Sequence, residues 1–197
     1  MNFLAHLHLG RHTPEFLLGS LLGDFVRGRV EDDQFTPEIR EGIRVHRSID
    51  GFTDNNTYWK TSKYRLPKPL RRYAGIIVDV FYDHLLMLHW QKYADFELTE
   101  FIHLSNRAVQ SGREHLHPEW YPFFDRFVSE DWLTSYGTMD GIGIALKRIS
   151  KRSTRLAPMA GSEMELKKNF VQFEEDFLTF YPEALVFAGS ILNHEEA

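Results

Sequence analysis

The sequence predicts an all-α fold, a single compact helical domain of about eight helices over residues 1–197, on three observations. Apolar residues recur at three- and four-residue spacing through most of the chain, the mark of helices with one buried face. No segment alternates apolar and polar residues between hairpin turns, as paired strands would. Helix-start chemistry also repeats. Thr13-Pro14-Glu15 and Thr36-Pro37-Glu38 each offer a capping hydroxyl, a proline at the first helical position and a first-turn acid, and His117-Pro118-Glu119 repeats the last two.

Taken in order, Phe3, Leu4, Leu7 and Leu9 predict a short first helix, with His6 and His8 set among the leucines. Phe16, Leu17, Leu18, Leu21, Leu22 and Phe25 predict a second, running into Gly23-Asp24. Ile39, Ile43, His46 and Asp50 lie at helical spacing in a third. Leu70, Ala74, Ile77, Phe81, Leu85 and Leu88 mark a long central helix. Further helices are expected around 98–112, 118–135, 138–150, 162–180 and 183–193.

The central helix is the most informative. From Ile76 to Leu88 it is apolar on nearly every side, yet it carries Asp79, Asp83 and His84. A helix apolar all round is buried, and a buried carboxylate is costly unless paired, hydrogen-bonded or bound to a metal. Asp79 and Asp83 are one turn apart and share a face. His46 and Asp50 repeat that spacing, and Asp54 extends their stripe by another turn. Together with Asp24 these residues form a hard nitrogen and oxygen set suited to Mn²⁺, Mg²⁺, Fe²⁺ or Zn²⁺. Arg27, three residues beyond Asp24 and followed by Gly28, is placed to clamp a phosphate. His6, one turn from Asn2, could bring a polar pair into the same site.

Composition narrows the classes. With 43% apolar and 14% aromatic residues, sixteen of them Phe, the 197-residue chain can bury a ring-rich core. It has no cysteine, which excludes disulfides, thiolate metal sites and a cysteine nucleophile. The first residues lack a basic leader pattern, and no apolar run is free of charge over a bilayer's width, so a soluble cytoplasmic protein without a membrane span is expected. Net charge is −5, which argues against nucleic-acid binding. Two stretches are nevertheless basic and free of acids: 60–72, with Lys60, Lys63, Arg65, Lys68, Arg71 and Arg72, and 141–162, with Lys147, Arg148, Lys151, Arg152 and Arg155. Solvated faces commonly look like this, and so does a docking surface for an acidic partner. There is no phosphate-binding glycine loop, dinucleotide fingerprint, zincin motif or nucleophile elbow.

The blocks Asn2-Phe3-Leu4-Ala5-His6-Leu7-His8-Leu9, Asp24-Phe25-Val26-Arg27-Gly28, His46-Arg47-Ser48-Ile49-Asp50, Phe52-Thr53-Asp54 and Asp79-Val80-Phe81-Tyr82-Asp83-His84 resemble, in order and spacing, those of the acyl carrier protein phosphodiesterases. The later chain resembles the family more loosely, through Trp132, Tyr136-Gly137-Thr138-Met139-Asp140 and the run from Phe173 to Pro182. The resemblance implies an HD-domain-like helical fold and hydrolysis of the phosphodiester that joins 4′-phosphopantetheine to a carrier-protein serine. It also implies a divalent metal, typically Mn²⁺, and acidic acyl carrier protein as the partner. It suggests metal ligands among Asp24, His46, Asp79, Asp83 and His84, with Asp50 or Asp54 orienting a ligand or water. Arg27 would stabilise phosphoryl charge, and His6 is a candidate to protonate the leaving serine. Lys63, Arg65, Lys68, Arg71 and Arg72 would then dock the carrier. One departure stands out: the superfamily dipeptide is His-Asp, and this chain has Asp83-His84. The alternative is an HD-type phosphohydrolase acting on a nucleotide or another small phosphate ester.

Overall fold

Capping explains how the third helix begins. Thr36 is extended, its hydroxyl accepts the amide of Ile39, and Pro37 takes the first helical position, where its missing N–H costs nothing. In the computed structural model, which describes residues 1–30 and 35–194, this helix is the third of twelve α-helices. They are α1 Phe3–Leu9, α2 Pro14–Leu22, α3 Pro37–Asn55, α4 Thr57–Arg65, α5 Ala74–Leu88, α6 Trp90–Tyr93, α7 Leu98–Ser111, α8 Tyr121–Ser129, α9 Trp132–Ser135, α10 Met139–Ser150, α11 Glu163–Lys168 and α12 Phe170–His194. Of four 3-10 turns among the described residues, Lys68–Tyr73 precedes α5 and Thr154–Met159 follows α10. There are no strands among the described residues, so the all-α reading stands. One continuous apolar core, built from Phe16, Phe81, Phe127, Phe177, Phe180 and their neighbours, underlies these helices.

Where about eight helices were expected, the described residues form twelve, for local reasons. The expected helix over 118–135 divides because Asp131 adopts a left-handed backbone, φ 45°, which few non-glycine residues tolerate inside a helix. Helix α4 lies in a polar stretch whose periodicity is weak. It is started by Asn56, whose side-chain oxygen accepts the amides of Tyr58 and Trp59. The break expected between 180 and 183 is absent: α12 runs through Pro182. Pro182 is exposed, while Phe180, Tyr181 and Ala184 on either side are buried. The packing of that face outweighs the one backbone hydrogen bond the proline removes.

Two contacts set up the site. Helices α2 and α3 touch backbone to backbone: a Cβ on Gly19 would sit 2.3 Å from the Ile39 carbonyl oxygen, and one on Gly42 2.5 Å from that of Phe16. The short helix α1 is held by α5. Its amides at Leu4 and Ala5, and the Asn2 side chain, donate to the Asp83 carboxylate at 2.9, 3.0 and 2.8 Å. Asn2, at the cap position of α1, makes no capping bond with its own side chain. Asp83 is therefore the N-cap of α1, supplied from another helix, and satisfies amides that a helix start leaves open.

Candidate active site

Helices α1, α2 and α3 meet at a buried pair of imidazoles. The rings of His6 and His46 stack with centroids 3.6 Å apart and planes 12° from parallel. Both are almost fully buried. His46 reaches this place because residue 23 is glycine: a Cβ there would lie 2.2 Å from His46 Cγ. Nδ1 of His46 donates to the Ser20 carbonyl at 2.7 Å. That bond fixes the tautomer and leaves Nε2 as the free ring atom.

The free Nε2 of His46 lies 3.2 Å from Asp50 Oδ2 and 3.6 Å from Asp24 Oδ1, yet it has no well-formed hydrogen bond. His6 Nε2 lies 3.0 Å from Asp50 Oδ1 and 3.1 Å from the Met1 carbonyl, and its Nδ1 is buried without a hydrogen bond. The Met1 amino group donates to Asp50 at 3.0 Å and stands 3.7 Å from Asp79 Oδ1. Asp79 accepts the indole N–H of Trp59 at 2.8 Å. Asp24, Asp50, Asp54 and Asp79 all line one cavity of about 570 Å³, whose walls also include Met1, Asn2, Phe3, Phe25, Phe123 and Arg152.

The electrostatics divide the two imidazoles. Burial disfavours the charged form of each. For His46 the carboxylates of Asp24 and Asp50 outweigh burial, and its pKa rises to about 9. For His6 burial and the neighbouring His46 prevail, and its pKa falls to about 3. Burial also acts against the Asp50 and Asp24 carboxylates, but the imidazoles hold both below the ordinary range. Asp79 is pushed up by burial, more than its Trp59 bond and the Met1 ammonium pull it down. His46 thus sits where a positive charge is strongly favoured between two carboxylates. A divalent cation answers that demand as a proton does. His6, His46 and Asp50 present ligand atoms all within 4.8 Å of one another, an N,N,O set that fits a divalent metal.

Of the residues singled out from sequence, His6, Asp24, His46, Asp50, Asp54 and Asp79 converge here, and the others do not. Asp83 spends both oxygens on the start of α1. Burial pushes its pKa up to about 7 against those three donors. His84 bonds through Nδ1 to the Tyr136 carbonyl at 2.6 Å. Neither lines the cavity. Arg27 is exposed and is also not among its walls. Its neighbourhood is held instead by Arg47, which donates to the carbonyls of Val26 and Gly28. Arg65 is a two-pronged partner of Asp176, at 2.6 and 2.9 Å. Asp176 also accepts from Ser62, itself bonded to Tyr82. That network ties α4, α5 and α12 together. Lys63 lies over the Trp59 ring at 3.9 Å, while Lys68, Arg71 and Arg72 are exposed. The Met1 amino group in the acid cluster was not anticipated, and nothing in residue type signals it.

Fold and donor set define a class: an all-α protein in which two buried imidazoles and Asp50 form a set compatible with a divalent cation, beside an acid-lined cavity whose wall Asp50 shares. A family profile described as acyl carrier protein phosphodiesterase matches residues 1–184. Proteins named acyl carrier protein phosphodiesterase are 36% identical to this chain in Shigella boydii serotype 18, over 96% of this chain and 98% of that protein. One in Photorhabdus laumondii is 34% identical, over 92% of each, and one in Escherichia coli O157:H7 is 36% identical, over 96% and 98%. The chain belongs to the acyl carrier protein phosphodiesterase family. No solved structure matches it. No helix among the described residues is long and apolar enough to cross a membrane.

Proposed function

We propose that this protein is a metal-dependent phosphodiesterase that removes 4′-phosphopantetheine from the serine of holo-acyl carrier protein, leaving the apo carrier. The observation that carries this reading is the His46 Nε2 atom: buried, without a hydrogen bond, and faced by two carboxylates beside a second buried imidazole. His6, His46 and Asp50 would hold the metal, with Asp24 adjoining; the resemblance to the family points to Mn²⁺ among the cations that suit such a set. Bound there, a divalent cation would supply an activated water and offset charge on the phosphoryl oxygens.

The chain's own residues do the rest. Ser20 keeps His46 in the tautomer whose Nε2 can ligate. His6, kept neutral by burial, serves as a ligand rather than as the acid that protonates the serine. Asp79, whose burial favours its protonated form, is the group in the cavity suited to give a proton to the leaving serine oxygen. Asp54 lines the same cavity and would orient the attacking water. The Phe123 ring packs on those of Phe3 and Phe25 at 5.9 and 4.7 Å, and the three form, with Ile149 and Leu156, an apolar wall for the pantetheine arm. Asp83 and His84 leave the ligand set: both Asp83 oxygens accept from the start of α1, and His84 offers no atom to the group formed by His6, His46 and Asp50. A cytoplasmic location, where the carrier is found, accords with this reading.

The test is direct. Incubation with holo-acyl carrier protein and Mn²⁺, followed by mass measurement of the carrier, should show loss of the phosphopantetheine mass, and a chelator should prevent it. An unchanged carrier mass in the presence of metal would sink the proposal.

A further inference from the structure

Two basic segments far apart in the chain meet at the mouth of the acid cavity. Lys68, Arg71 and Arg72 lie on the 3-10 turn before α5; Lys151 and Arg152 directly follow α10, and Arg155 lies on the 3-10 turn that comes next. The two turns pack against each other. Ile149, Arg152 and Leu156 of the second segment form part of the cavity wall, and so does Ile76, in the first turn of α5 just past the other segment. All six cations are exposed, and neither 60–72 nor 141–162 contains an acid. Arg65, which sequence grouped with them, is withdrawn into its ion pair with Asp176.

The arrangement has a consequence for what can dock. The chain as a whole carries −5, and the cavity is lined by Asp24, Asp50, Asp54 and Asp79. A generic polyanion is repelled by both. A folded acidic partner gains attraction only when its acidic face meets the six-cation collar, which fixes its orientation at the cavity mouth. Resting on the function proposed above, we propose that this collar is the docking surface for the acidic face of a carrier protein, orienting its modified serine toward the cavity. The surface joins two segments that sequence treated as separate patches, and it excludes Lys63 and Arg65.

The experiment uses the full-length protein and the triple variant Arg72→Glu/Lys151→Glu/Arg155→Glu. Binding of apo-acyl carrier protein, which needs no chemistry, is measured by calorimetry over a range of salt. Hydrolysis of holo-carrier and of bis(p-nitrophenyl) phosphate is measured with Mn²⁺. The variant should bind the apo carrier roughly tenfold more weakly or worse, with a flatter salt dependence, as expected for lost charge complementarity. Its KM for holo-carrier should rise while turnover of the small diester is retained. The single variants Lys151→Glu and Arg155→Glu, whose side chains are exposed, should move the same way by less, and they serve if the triple variant folds poorly. Unchanged carrier affinity and salt dependence in the folded variants would overturn the docking surface. So would single-stranded DNA or phosphatidylglycerol vesicles binding through these residues while the carrier does not. Collar-dependent binding of apo carrier without release of the arm from holo-carrier would instead retain the surface and reject the reaction.

Discussion

In α3, His46 and Asp50 stand one turn apart and both belong to the site. In α5, Asp79 and Asp83 are also one turn apart, and only Asp79 does. Asp83 turns to the start of α1 and His84 to the carbonyl of Tyr136. The comparison shows what one-turn spacing decides. It puts two side chains on one face of a helix, but a buried helix packs against several neighbours along that face. Each α3 polar group meets α1, α2 or the cavity. Along α5 the neighbour changes within a single turn, from the cavity to the amides of α1.

The strongest way to break this comparison is at the α3 end. His46→Ala and Asp50→Ala should each lower turnover of holo-carrier by about 10³-fold or more, since each removes a group proposed to hold the catalytic cation. Metal content by mass spectrometry should fall in parallel while far-ultraviolet dichroism stays helical. A folded, metal-free Asp50→Ala variant with full activity would refute the assignment.

At the α5 end the cost should appear as stability. Asp83→Ala leaves three donors without their acceptor and should destabilise the protein by about 3–5 kcal/mol in urea unfolding. Asp83→Asn keeps the shape and one accepting oxygen, so about 1–2 kcal/mol is expected, with metal stoichiometry unchanged in the folded protein. Loss of metal from a stable Asp83→Asn variant would return Asp83 to the ligand set.

Trp59→Phe tests the member of α5 that does reach the cavity. It removes the indole bond to Asp79, costing about 1 kcal/mol. Because that bond lowers the Asp79 pKa, the limb of the pH–rate profile due to Asp79 should move to higher pH. A profile that does not move would remove Asp79 as proton donor.

The smallest effect is a pH dependence of the metal-free protein. His46 is raised from 6.5 to about 9, so its contribution is present below 6.5 and is lost as pH rises through 9. His6 is lowered from 6.5 to about 3. The unfolded chain therefore binds the extra proton first, and stability falls as pH drops from 6.5 toward 3. Thermal unfolding without metal should accordingly peak near pH 6.5. The alkaline fall should shrink in His46→Gln, leaving the part due to the Met1 ammonium, which is raised from 8.0 to about 10. A wild-type curve without the alkaline fall would contradict the charged His46 between its two carboxylates.

Much of the site was legible because it is local. The stripe of His46, Asp50 and Asp54 follows from helical spacing alone, and Gly23-Asp24 marks a place where another group comes close. His6 was harder: one histidine among leucines looks the same whether it is a core residue or part of a site, and only the tertiary structure brings it onto His46 and beside Asp50. Arg65 and Asp176 form their pair across 111 residues, a separation that no periodicity encodes. Helix α4 was missed because its face is polar and its cap, Asn56, is the one clear signal.

By itself, the sequence determined that the chain is helical, that it has a ring-rich core, and that carboxylates and imidazoles on buried faces require compensation. Those follow from periodicity and desolvation, which are properties of residues and their near neighbours. Only the tertiary structure decided which compensation each received. Asp50 and His46 face charges and a cavity, Asp83 caps another helix, and two separate basic runs become one collar. Such partners are chosen by how helices cross, and crossing depends on contacts between residues far apart in the chain.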